Sequence, residues 1–157
     1  MKNFKEYLSE RKQVGKLYHF TTLDKLVKIL KDGLKSEALI DKDDNSRDGV
    51  SFTRNYRHAK DISHGGVFDL RITIDGDKLS DKYKITPFHD REYYKYQQQS
   101  GKKVEDEMEE LVTTTKPIPI KKYILDIVTH TKKFDVIDKL EKKYGVKIRT
   151  GEINDKI

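Results

Sequence analysis

The sequence predicts a single α+β domain, and three observations carry that prediction. Short segments alternate apolar with polar residues as half-buried strands do, other stretches keep the 3.6-residue spacing of amphipathic helices, and no repeat or linker-like tract divides the chain over 1–157. At 157 residues the chain is the size of one domain and long enough to bury a core. Only 34% of it is hydrophobic against 38% charged, so that core must be economical and the surface heavily ionised.

The elements follow in order. Phe4, Tyr7 and Leu8 at i, i+3, i+4 predict a short helix over 4–11. The run Lys16-Leu17-Tyr18-His19-Phe20-Thr21 suits a strand, and Thr21 or Thr22 can cap a helix beginning near Leu23. That helix presents Leu23, Leu26, Val27, Ile29 and Leu30 as an apolar stripe and stops at Gly33-Leu34, where the glycine can take a left-handed C-cap. Residues 36–49, rich in Asp, Asn, Ser and Lys, read as a surface loop. In the strand over 49–55, Val50 and Phe52 face one way while Ser51 and Thr53 offer hydroxyls on the other.

Asn55 can cap a brief helix through Ile62, ended by His64-Gly65-Gly66. Residues 67–74 form the clearest strand and Asp75-Gly76-Asp77 a turn, with a short strand following over 82–86. The segment 89–99, crowded with tyrosines and glutamines, reads as a helix running into the basic loop Ser100-Gly101-Lys102-Lys103. Acids from Glu105 to Glu110 then run straight into Leu111-Val112, which places a carboxylate at a sheet edge. Pro117-Ile118-Pro119-Ile120 breaks the chain, and 123–128 is apolar enough for a central strand. Phe134, Ile137, Leu140 and Tyr144 make a last helix ended by Gly145, and 146–148 an edge strand.

Thirty-three Lys and Arg against 27 Asp and Glu give a net charge of +6, compatible with a nucleic-acid or acidic partner. The absence of cysteine excludes disulfides and thiolate zinc sites and fits a reducing cytosol. With no membrane-length apolar run and no signal-peptide stretch at Met1-Lys2-Asn3-Phe4, the expected location is cytoplasmic, in the producing cell or an infected host cell. The histidines, His19, His58, His64, His89 and His130, make no H-x-x-x-H or H-E-x-x-H pattern, so no metal is expected. Phosphate-gripping glycine motifs and a G-x-S-x-G elbow are absent too. A two-histidine phosphoesterase needs a second His-x-[Ser/Thr], and His130-Thr131-Lys132 puts lysine where its hydroxyl belongs.

What survives is a strand histidine, a hydroxyl-bearing strand with an arginine, an aromatic-rich helix and loop, and a carboxylate at a later strand edge. In that order these features resemble the ADP-ribosyltransferase superfamily, most closely its DarT-type enzymes that modify nucleic acid. The resemblance rests on His19-Phe20-Thr21 with Gly33-Leu34, on Ser51-Phe52-Thr53, and on Met108-Glu109-Glu110-Leu111-Val112 beside the family's Ala-Glu-x-Leu-Val, and it spans about 17–128. It departs from the family where His19 replaces the arginine of the toxin branch, where Met108 stands for a small residue, and where adjacent Glu109 and Glu110 leave the acid open by one position.

The resemblance implies a split antiparallel or mixed sheet with peripheral helices, and a transferase that uses NAD+ as substrate, without a metal, to place ADP-ribose on a macromolecule. Nucleic acid is slightly favoured over protein as acceptor, and no membrane is involved. Glu109 is the expected catalytic acid, and His19 the group that positions the dinucleotide. Thr21, Ser51, Phe52, Thr53, Arg54, Tyr93 and Tyr94 complete the implied dinucleotide site. Arg54 would pair with pyrophosphate, and Phe52 or a tyrosine would stack on nicotinamide. Glu107, Gln98, Lys102 and Lys103 would address the acceptor. Two rival classes stand beside this reading: a non-catalytic NAD or nucleotide-binding module on the same fold, such as a phage counter-defence protein, and a small basic nucleic-acid-binding protein without cofactor.

Overall fold

The computed structural model describes residues 14–35, 49–54, 56, 68–87 and 109–153. The helices expected over 4–11, 55–62 and 89–99 and the loop over 36–48 lie outside the described residues.

An α+β architecture is present, with one mixed sheet at its centre. Its strands are β1 (Lys16–Thr21), β2 (Gly49–Thr53), β3 (Leu70–Asp75), β4 (Ile85–Pro87), β5 (Glu109–Thr113), β6 (Ile124–Thr129) and β7 (Arg149–Thr150), in the order β4-β5-β2-β1-β3-β6-β7. All neighbours run antiparallel except β6 and β7, which are parallel. The described helices are α1 (Leu23–Asp32), α2 (Gly76–Ser80) and α3 (Phe134–Tyr144), with a 3-10 turn over Ile120–Tyr123.

The two faces of the sheet differ. Leu17, Val50, Phe52, Leu70, Ile72, Ile74, Val112 and Ile127 share the main core with Leu23, Leu26 and Ile29 of α1 and Ile137 and Leu140 of α3. Each such side chain contributes about 1.5–3 kcal/mol of burial, so this face holds the domain together. On the opposite face Phe20, Val128 and Ile153 form a smaller cluster with Tyr18 and Phe68. Arg71, fully buried there, donates from Nη1 to the Ile153 carbonyl at 2.8 Å and lies 5.4 Å from the centre of the Tyr18 ring. Stacking on an aromatic face and a carbonyl bond are how a desolvated guanidinium is accommodated.

The ladder is uneven. β1 and β3 share six register pairs, from Lys16↔Asp75 to Thr21↔Leu70, whereas β1 and β2 share only Tyr18↔Thr53 among the described residues. Among the described residues, the strands that carry His19 and Ser51 therefore share fewer register pairs than any other neighbours in the sheet.

Several expectations need correction. The strand expected to be central, now β6, is next to the edge with only the two-residue β7 beyond it, and Tyr123 belongs to the 3-10 turn that precedes it. That edge strand forms at Arg149–Thr150 rather than 146–148; Ile148 instead packs into the core while its amide donates to Glu141. The turn expected at Asp75-Gly76-Asp77 is the start of α2, since the Asp75 carboxylate accepts from the Lys78 amide and caps a helix. Val27 and Phe134, placed on apolar stripes by spacing, are 36% and 55% exposed. Gly33 does have a positive φ, +87°, but its ψ of 173° is extended rather than left-handed helical. The chain leaves α1 directly into a two-bond bridge in which Leu34 and Ile118 exchange backbone hydrogen bonds of 2.9 and 2.8 Å. Gly145, by contrast, ends α3 in the left-handed conformation at φ +64°.

Candidate functional site

Strand alternation decides which residues can meet. In β1, Leu17, His19 and Thr21 share the core face while Tyr18 and Phe20 share the other, because successive side chains project to opposite sides. His19 is the polar member of the apolar set at the middle of the sheet. Its ring stands edge-on to Phe52, with centroids 5.9 Å apart and planes at 62°.

His19 Nδ1 lies 3.2 Å from the Ser51 carbonyl of β2. A carbonyl can only accept, so Nδ1 carries the proton and donates, which leaves Nε2 as the acceptor of the neutral ring. This bond crosses between β1 and β2 beyond their single register pair, where the imidazole does part of the ladder's work. Burial pushes the His19 pKa down from its ordinary 6.5; the Ser51 bond opposes the shift and the Lys25 charge adds to it. A neutral imidazole follows at pH 7.

The corner after His19-Phe20-Thr21 is held from a distance. Thr22 Oγ1 accepts from the Lys25 amide as the N-cap of α1, and Asp69 Oδ1, from just before β3, accepts from the Leu23 amide at 2.7 Å. Asp69 also donates its amide to the Thr21 carbonyl at 3.2 Å. Its own carbonyl accepts from Thr129 Oγ1 at 2.7 Å and from the His130 amide at 3.1 Å. Asp69 thus joins the ends of β1, β3 and β6. Sequence reasoning missed it, since a partner 46 residues from Leu23 leaves no local signal.

β5 lies against β2, and their register pairs Phe52 with Glu110 and Thr53 with Glu109. Directly paired residues occupy one face. Position 110 therefore belongs to the face of Phe52 and His19, and position 109 to the face of Thr53 and Tyr18. By register alone, the expected acid position 109 pairs across from Thr53 and the alternative position 110 across from Phe52.

The remaining expected residues divide in the same way. Thr21 is on the His19 face and buried, as is Phe52 at 2% exposure, its ring packed edge-on with the imidazole. Ser51 and Thr53 sit on the opposite face, so the described strand residues among those expected at the dinucleotide site divide between the two faces of the sheet. Ser51 Oγ and Thr73 Oγ1 are buried without a hydrogen-bond partner among the described residues. Arg54 follows β2 and is exposed. Tyr93, Tyr94, Gln98, Lys102, Lys103 and Glu107 lie outside the described residues. Tyr18, which the sequence reading did not select, packs edge-on against Tyr56 at 6.4 Å as well as beside Arg71.

Among the described residues no helix is long and apolar enough to cross a membrane, and no group of His, Asp and Glu is arranged to hold a metal. The fold and this geometry define an α+β protein with a neutral histidine bridging two central strands and a carboxylate position one strand further on. No family model matches the chain, and no curated protein matches it in sequence.

Proposed function

We propose that the chain is an NAD+-dependent ADP-ribosyltransferase of the DarT type, with a macromolecular acceptor and nucleic acid favoured over protein. One observation carries the reading. The three motif-bearing strands, separated by up to about ninety residues in sequence, are consecutive neighbours in the order β5-β2-β1, with Glu110 and His19 on one face and the histidine at the weakly paired β1–β2 junction. The seven-strand order and that junction also support the split-sheet form of the fold.

The chemistry fits these groups. As the bond from ribose C1′ to the nicotinamide nitrogen breaks, nicotinamide leaves with the electron pair and positive charge grows on the ribose. A carboxylate at the 2′-hydroxyl stabilises that charge, and Glu110 supplies it. A nucleophilic atom of the acceptor then bonds to C1′ and gives up its proton. His19, neutral and held through Nδ1, offers Nε2 to a ribose hydroxyl, which is a positioning role.

Nicotinamide release from NAD+ is the test. Wild type should release it, Glu110→Gln should lose on the order of 10³-fold in rate, by analogy with losing one transition-state electrostatic contact, and Glu109→Gln should remain close to wild type. Mass spectrometry of nucleic acids and proteins after incubation identifies the acceptor by an added ADP-ribose. A wild-type protein that is stabilised by NAD+ but releases no nicotinamide is a binding module instead.

A further inference from the structure

We infer that Asp69 is a positioning residue for this site, acting through the β1–α1 corner that carries His19 and Thr21. The inference rests on the transferase reading for its kinetic readout only; the geometry stands alone. Three polar groups of Asp69 are engaged, each with a different element: the carboxylate with the first amide of α1, the amide with the last carbonyl of β1, and the carbonyl with Thr129 and His130 at the end of β6.

Two physical consequences follow. The first helical residues of α1 expose amides that have no intrahelical partner, and a carboxylate there is favoured by hydrogen bonding and by the helix dipole. Asp69 fills that place, so the N-terminus of α1 is already neutralised by the protein and is closed to a ligand phosphate. A dinucleotide bound beside His19 must direct its pyrophosphate elsewhere. Secondly, the Thr21 carbonyl and Leu23 amide flank the corner on both sides of Thr22, and both are tied to one residue. Two residues upstream, His19 depends on that corner for the placement of its ring over β2.

Asp69→Ala removes the carboxylate, and Asp69→Asn keeps an oxygen that can accept the Leu23 bond while removing the charge. The expected result is a KM for NAD+ raised about tenfold in Asp69→Ala with kcat within about threefold of wild type, and near-wild-type KM in Asp69→Asn. Thr129→Val, which deletes the donor to the Asp69 carbonyl at nearly constant volume, should raise KM by a smaller factor and serves if Asp69→Ala does not fold. The ring nitrogen NMR shifts of His19 give a readout free of turnover. Nδ1 should stay protonated in wild type and Asp69→Asn and move towards mixed tautomers in Asp69→Ala or, to a lesser degree, Thr129→Val. Wild-type KM and ring shifts in both Asp69→Ala and Thr129→Val, or an Asp69→Asn protein as impaired as Asp69→Ala, overturn the inference. If wild type releases no nicotinamide, the transferase reading fails and the ring shifts alone decide the role of Asp69.

Discussion

Replacing Gly33 with alanine should cost the protein about 3–5 kcal/mol. The backbone there has φ +87° and ψ 173°, a region that side chains essentially never occupy and that costs about 1–3 kcal/mol when forced. A Cβ would also come 2.5 Å from the Ile118 carbonyl oxygen and 3.0 Å from its carbon, both backbone atoms. Relief of that contact requires the Leu34–Ile118 bridge to open, at about 1 kcal/mol for each of its two hydrogen bonds. Gly145→Ala is the internal control. Its φ is +64° in the left-handed helical region, and the nearest atom to an added Cβ is the flexible Lys121 Nζ at 3.8 Å, so only about 1 kcal/mol is at stake. Urea denaturation of the two variants and wild type at one pH measures the difference. Equal costs for both substitutions, or less than about 1 kcal/mol for Gly33→Ala, would refute the argument that backbone collision rather than the sign of φ sets the penalty.

Three further outcomes are expected. Because burial holds the His19 pKa below 6.5, the unfolded chain takes up this proton more readily than the folded one. Stability should fall as pH drops from 6.5 towards the lowered folded value, with no further loss from this group below it, and a urea midpoint falling more between pH 8 and pH 5 in wild type than in His19→Gln reports it. Arg71→Lys should destabilise by about 2–3 kcal/mol, since lysine loses the planar contact with Tyr18 and leaves a charge in a fully buried place; thermal melting of the two proteins checks this. Arg149 meets Asp126 through two 3.0 Å bonds but is 43% exposed, so Arg149→Ala should cost less than about 1 kcal/mol, and less again in high salt, by the same urea assay.

How much could be read in advance followed from how local the cause was. The β1 strand, the start of α1 at Thr22 and Leu23, and the stop of each helix at a glycine were legible because capping and positive φ depend on a few adjacent residues, although only Gly145 takes the left-handed helical conformation. The Asp75 cap was equally local, and the reading of a turn there overlooked that an aspartate three residues before Lys78 can begin a helix. Strand order was not legible. The apolar run in β6 gave the appearance of a central strand, while the centre belongs to β1, whose residues are more mixed but are bordered on both sides. The faces to which positions 109 and 110 belong were similarly closed to sequence, because both fit a strand and only the register with Phe52 and Thr53 distinguishes them. The same is true of Asp69, whose partners belong to elements brought together by the sheet.

The contrast, among the described residues, between six register pairs on one flank of β1 and one on the other makes this part of the sheet mechanically asymmetric. Prising β1 from β3 means tearing a full zip, while parting it from β2 undoes a stitch and a histidine clasp. Strain along that seam passes to the helix that begins four residues after the clasp.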